Sequence, residues 1–224
     1  MIITTKLQSI SDIGENIHII AITGGSCGGK TTGLIKLQQM LTDRGYKVLV
    51  SPESATKLIC GGFCPWDIGK MTFQKQILQD VILQEQCFIS AAQSYRDMGH
   101  KVVILCDRGI MDGQAYVDSN EDFEKLVAEL GLSIDSICND RYHAVIHLRT
   151  AALGAEEFYT LENNLARIET PEQARELDQK VLEAWQLHHN PLVIDNSGGF
   201  DKKIDRLLAE VCFVLGESDS VGFQ

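Results

Sequence analysis

Ile17-His-Ile-Ile-Ala-Ile-Thr23 runs directly into Gly24-Gly-Ser-Cys-Gly-Gly-Lys30-Thr-Thr32. Beyond Lys30, residues Leu34, Ile35, Leu37 and Leu41 recur at helical spacing until Arg44, and Gly45 closes the segment. The order is therefore buried strand, glycine-rich loop, helix. Residues 24–31 match G-x-x-x-x-G-K-[ST] in full, in the strand–loop–helix setting that this motif requires. Gly24, Gly25, Gly28 and Gly29 let backbone N–H groups turn inward toward phosphate oxygens, with Ser26 and Cys27 as spacers between them. The helix start adds partial positive charge. Lys30 supplies a mobile cation for the β- and γ-phosphates, and Thr31 supplies a hydroxyl for Mg²⁺, with Thr32 beside it. These residues read as a site for ATP with Mg²⁺.

Working outward, short apolar runs at 46–51, 101–106, 144–148 and 192–194 read as four more strands. Helical patterns fill 71–98, 121–130, 172–187 and 201–214. Strands alternating with helices predict an α/β fold, a parallel five-stranded sheet with helices on both faces. Ligands of such sheets lie at the carboxyl ends of the strands. The expected division is an arm at 1–16, a nucleotide-binding domain at 17–216 and a tail at 217–224.

Candidate chemistry falls at those strand ends. Asp107 follows the 101–106 strand, where a carboxylate orders Mg²⁺ and its waters; a helix N-cap is the alternative. Its neighbour is Arg108, where ATP-driven motors place a second acid, so group transfer is favoured over motor activity. Asp112 reads equally as a cap or a substrate contact. Glu53 in Ser51-Pro-Glu-Ser54 has three readings: a base for a substrate hydroxyl, a water-mediated Mg²⁺ contact, or a cap for a helix over 54–60. Its strand is expected beside the loop strand. Arg167 and Arg175 flank a helix start and suit a lid that neutralises the transferred group; pairing of Arg175 with Glu172 is the plain alternative. Asn196 lies after the last strand, either bordering the base or in a turn. The histidines at 143, 147, 188 and 189 show no ligand spacing with acids and read as structural or surface residues.

The 224 residues carry 31 acidic against 20 basic side chains, a net charge of −11 that disfavours nucleic acid and anionic lipid. The mean hydropathy is −0.04, and no apolar run is long enough to span a membrane. Seven scattered cysteines and the lack of a signal-like N-terminus point to a reducing, cytoplasmic setting. No Asn-Lys-x-Asp guanine motif is present, which favours ATP over GTP.

The sequence resembles the NTPase domain shared by NadR-type nicotinamide-riboside kinases and the TRPL-translocation-defect proteins, an AAA-type domain. The resemblance rests on residues 22–32, Pro-Glu-Ser-Ala-Thr (52–56), Cys-Asp-Arg-Gly-Ile-Met-Asp-Gly-Gln-Ala-Tyr (106–116), residues 147–159, Ala-Arg-Glu-Leu-Asp (174–178) and Ile-Asp-Asn-Ser (194–197). It covers about 17–214. It implies an ATP- or GTP-binding domain related to nucleoside kinases, with Glu53 and Asp107-Arg108 matching the acid and the acid–arginine pair of those enzymes. The chain is too short for the adenylyltransferase or triphosphate-tunnel domains of larger members, so the acceptor does not carry over. A phosphotransferase acting on a small hydroxyl-bearing metabolite is the leading reading. A nucleotide-dependent binding module or switch is the alternative.

Overall fold

A computed structural model describes residues 8–159, 169–189 and 191–217. Five strands form one sheet: β1 (Ile17–Thr23), β2 (Lys47–Ser51), β3 (Val102–Asp107), β4 (Ala144–Leu148) and β5 (Pro191–Ile194). Every pairing is parallel, in the order β2-β3-β1-β4-β5. Alternation along β1 sends Ile17, Ile19 and Ala21 to one face and Ile20 and Ile22 to the other. Both faces are covered, which explains the unbroken apolar runs read from the sequence.

On one face lie α2 (Lys30–Asp43) and α9 (Gly199–Val214), whose Leu34, Leu37, Leu41, Leu207 and Val211 pack on Ile20, Ile22 and Ile146. The other face is covered by α5 (Lys70–Asp97), α6 (Asn120–Glu129), α7 (Ile134–Asp140) and α8 (Pro171–Ala184). The fold class expected from the sequence is the one observed.

One neighbour relation is corrected. The β2 strand does not lie beside β1, because β3 stands between them, with Leu49 opposite Ile104 and Ile104 opposite Ile19. The Glu53 loop therefore reaches the phosphate loop across the end of β3. Two short helices, α3 (Ser54–Cys60) and α4 (Pro65–Ile68), follow β2 and lead into α5. The β3 strand continues into a 3₁₀ segment, Ile110–Tyr116.

The flanking segments pack on the body. Helix α1 (Ile10–Ile13) buries Ile13 completely, and the Gln8 carbonyl accepts from Arg141 at 3.1 Å. Glu217 accepts from Arg44 and Tyr46. None of the seven cysteines is in a disulfide. No helix among the described residues is long and apolar enough to cross a membrane.

Candidate active site

The loop between β1 and α2 needs its glycines for a reason beyond phosphate access. A Cβ on Gly24 would lie 2.1 Å from the Leu148 carbonyl oxygen, and one on Gly28 would lie 2.7 Å from the same atom. One on Gly25 would meet Asp178 Oδ1 at 2.7 Å. The loop is thus pressed against the end of β4 and against α8. Gly29 adopts φ +91°, under the ring of Phe200, and Cys27 takes φ +56°. Lys30 Nζ folds back to donate to the Gly24 and Gly25 carbonyls at 3.0 and 2.9 Å. Burial pulls its pKa down to about 8, and Arg108 acts in the same direction. Thr31 and Thr32 are exposed at the start of α2. Ser26 is buried, its hydroxyl 3.4 Å from Glu169 Oε2.

Asp178 is the residue that holds this loop, and sequence reading missed it. It is fully buried in α8 and accepts from Gly25 N (2.9 Å), Thr150 N (2.9 Å) and Arg149 (2.8 Å). His147 Nε2 lies 3.1 Å from its Oδ1. An ionised carboxylate only accepts, so Nε2 carries the proton. Burial alone would raise the Asp178 pKa; hydrogen bonds from His147, Arg149 and Gly25 outweigh it and hold it at about 2. Thr150 completes the brace by donating to the Ser26 carbonyl at 2.6 Å.

At the end of β3, Arg108 sits at φ +75°, a left-handed conformation that an arginine adopts at a cost. Its backbone N–H still donates to Ile22, and the turn sends its side chain back over the sheet edge. Arg108 Nε donates to Glu53 Oε1 at 2.6 Å, and NH1 donates to Asp112 Oδ2 at 3.2 Å and the Gly24 carbonyl at 3.1 Å. Asp112 is 3% exposed and takes hydrogen bonds from Thr23 and Trp185 as well. Of the two readings of Asp112, the cap is not what is observed: it lies inside the 3₁₀ segment, anchors Arg108 and lines the cavity. Glu53 occupies the N-cap position of α3 without a side-chain capping bond, and accepts from Thr56. Burial would push its carboxyl up, but Arg108, Lys30 and these hydrogen bonds hold it at about 2.

Asp107 lies at the last position of β3, and its Oδ1 is buried without a hydrogen-bond partner among the described residues. Burial raises its pKa against the pull of Lys30. A buried, unpartnered carboxylate oxygen on the cavity that Thr31 also lines is the donor set a hard cation takes. Mg²⁺ binds with one or two protein oxygens plus phosphates and water, so these two residues fit it. No cluster of three or more acidic, histidine or cysteine ligands exists among the described residues.

Residues 26–32 of the loop, Glu53, Asp107, Arg108 and Asn196 line one cavity of about 1160 Å³, while Gly24 and Gly25 are not among its lining residues. Asn196 donates to the Thr150 and Leu153 carbonyls and accepts from Lys203, so its amide is engaged within the protein. Arg175 is not among the lining residues. Its guanidinium is spent on the Ala152 carbonyl (2.9 Å) and on Glu172 (2.8 Å), the i,i+3 pair that was the plain alternative. Arg167 lies outside the described residues.

The sequence model of the AAA domain family matches residues 19–203. The chain belongs to the AAA domain family. No curated protein matches this AAA domain chain in sequence at a significant level. Among solved structures it is similar to the NadR protein in complex with NAD and AMP-PNP, with TM-score 0.64 and 14% identity over 91% of this chain and 51% of that one. The chain thus spans about half the length of NadR. It is also similar to thymidylate kinase from Ehrlichia chaffeensis, with TM-score 0.57 and 17% identity over 89% of this chain and 98% of the kinase. These likenesses place this AAA domain protein in the P-loop, nucleoside-kinase-like fold.

Proposed function

We propose that the chain binds ATP with Mg²⁺ on residues 24–32 and transfers the γ-phosphoryl group to the hydroxyl of a small metabolite held in the same cavity. One observation carries this reading. The cavity, about 1160 Å³, exceeds the roughly 300–1,000 Å³ that enclose one drug-sized ligand, and Glu53, Asp107 and Arg108 line it together with residues 26–32 of the loop. A nucleotide on the loop leaves room for an acceptor in the same cavity.

On this reading, Lys30 leaves the Gly24 and Gly25 carbonyls for the β- and γ-phosphates. Thr31 and Asp107 would hold Mg²⁺, which would supply positive charge against the phosphates. The acceptor oxygen forms a bond to the γ-phosphorus while the bond to the leaving ADP breaks, and the acceptor proton passes to Glu53. With a pKa of about 2, Glu53 is a weak base. The loose transition state of phosphoryl transfer asks little of the base, because the acceptor oxygen gains acidity only as the new bond forms. Arg108 keeps Glu53 ionised and offers positive charge beside the transferred group.

The switch reading draws on a different feature, the bond from Gly25 N–H to Asp178. It ties the loop to α8, so nucleotide occupancy can be felt in that helix. ADP release measured with and without a panel of hydroxyl metabolites separates the two. Acceptor-dependent release is expected. Nucleotide binding with no acceptor dependence would overturn the kinase reading in favour of the switch.

A further inference from the structure

Arg108 stands at φ +75°, and a strained backbone persists only where its surroundings over-determine it. Its own N–H, donating to the Ile22 carbonyl at 3.0 Å, fixes the start of the turn. The rest of the turn is fixed from the core, by side chains that the transfer scheme does not use. Ile110 N donates to the Tyr142 hydroxyl at 3.0 Å. Trp185 Nε1 donates to Asp112 Oδ1 at 2.6 Å, and Asp112 Oδ2 accepts from Arg108. The indole also lies against the turn itself. A Cβ on Gly109 would stand 2.6 Å from Trp185 Cζ2, so the ring requires a glycine there.

These two aromatic residues belong to one buried network. Trp185 ends α8 and Tyr142 precedes β4, and their rings meet edge to face at 5.4 Å. While the Tyr142 hydroxyl accepts from Ile110, it donates to Glu85 Oε1 of α5 at 2.6 Å. Glu85 Oε2 accepts in turn from Arg141 Nε at 2.6 Å. All four side chains are at most 2% exposed. Burial and the Glu85 carboxylate push the Tyr142 phenol well up, so it stays protonated and keeps donating. A buried ion pair is a poor device for stability alone, since apolar residues of like volume fill such space as well. Here the network ends on two groups of one turn, Ile110 N and Asp112 Oδ1, both just beyond Arg108.

On the kinase reading above, we infer that Tyr142 and Trp185 are positioning residues: through Ile110 and Asp112 they hold the Arg108 turn in its strained conformation, and so keep the guanidinium at Glu53 and beside the transferred group. Neither lines the cavity, so neither touches a ligand there. Without the Tyr142 hydroxyl, Ile110 N and Glu85 Oε1 lose a partner, and the turn is free to relax toward an ordinary backbone angle. Arg108 Nε then leaves Glu53 for part of the time. Misplacing a group at the reacting centre by about 1 Å costs up to about 10²-fold in rate.

The test uses the full chain, labelled with isotopic arginine, and the variants Tyr142→Phe, Trp185→Phe and Val211→Ala. Val211 is buried in α9 on the opposite face of the sheet, so its truncation lowers stability without touching the turn. Exchange of the Arg108 Nε–H with water is read by NMR, the signal being identified by its loss in Arg108→Lys. This readout needs no acceptor. ADP release from Mg·ATP, with nucleosides as the hydroxyl metabolites, is read in parallel. In both aromatic variants the Arg108 Nε–H should exchange at least about tenfold faster than in wild type, and kcat should fall about tenfold while KM for ATP changes less than about twofold. Val211→Ala should change none of these, although its melting temperature falls. Phenylalanine at 142 keeps the ring and its packing, and Trp185→Phe reaches the same turn through the separate bond to Asp112.

Unchanged Arg108 exchange in both aromatic variants would overturn the inference. So would an equal loss of kcat in Val211→Ala, which would reduce the network to structural support. ADP release at wild-type kcat in both aromatic variants would sustain the kinase reading and overturn the inference, even with faster exchange. If wild type releases no ADP with any nucleoside, the kinase reading fails, while faster Arg108 exchange in the variants still sustains the hold on the turn.

Discussion

Arg108 reaches its place through an unfavourable backbone angle, and its guanidinium ties Glu53, Asp112 and Gly24 into one arrangement. Because Glu53 is held at about 2, it stays ionised at every pH the protein meets in ordinary work. If Glu53 takes the acceptor proton, kcat should stay level from about pH 7 to about pH 5. An acid limb within that span would assign the base to Asp107, whose pKa burial raises. Replacement Glu53→Gln should leave ATP affinity nearly intact and lower kcat by roughly 10²–10⁴-fold. For Asp107→Asn the expected loss is different. Its Oδ1 has no hydrogen-bond partner among the described residues, so the melting temperature should hold while the Mg²⁺ dependence of ATP binding collapses. A titration of Mg²⁺ at fixed ATP, unchanged in the variant, would remove Asp107 from the metal.

At the scale of elements, helices carry polar residues on stripes that otherwise face the core. In α8 the buried positions are Ala174, Asp178, Val181 and Ala184; those of α5 include Gln74, Leu78, Ile82, Glu85 and Ile89, and those of α9 include Lys203, Leu207 and Val211. Strands, loop and the Asp107-Arg108 pair were legible in the sequence because each depends on local pattern: apolar runs, glycine spacing, an acid at a strand end. Asp178 and Lys203 were not, since they bond to groups distant in the chain, Asp178 to Gly25 and Lys203 to the Arg149 carbonyl. Their signal was a polar side chain at a helical-core position. The β2–β3–β1 order was likewise invisible, because strand runs carry no label of their neighbours. Asp178 shows what such a residue does. Its pKa lies at about 2 when folded, against 3.8 for the ordinary carboxyl. A depressed folded value stabilises the protein above the unfolded pKa, and the contribution disappears as pH falls from 3.8 toward 2. Denaturant melts should show stability dropping through that window. In Asp178→Ala the drop should be smaller, with the part due to Glu53 remaining, and stability at neutral pH should be lower by about 3–5 kcal/mol, the usual cost of breaking a buried charge pair.

Considered whole, the molecule is one sheet with two apolar layers, and its ligand cavity opens where both meet the strand ends. Residues 24–32 join β1 to α2, which packs on one layer, while α8 with Asp178 and α5 with Phe73 cover the other. A nucleotide on the loop is therefore bound only when both layers are assembled, and its binding energy becomes stability of the whole fold. At about 100 times its Kd, a ligand that binds the folded state alone adds about 2.7 kcal/mol. Mg·ATP should accordingly raise the melting temperature by several degrees. Lys30→Ala removes the cation that the phosphates need, and costs the free protein two bonds to loop carbonyls and an attraction to Glu53 and Asp107. Its own melting temperature should stay near wild type, and the Mg·ATP shift should disappear. Calorimetric scans of both proteins with and without nucleotide read this directly. An equal shift in the variant would move the nucleotide away from the loop, and with it the acceptor site that the rest of the cavity forms.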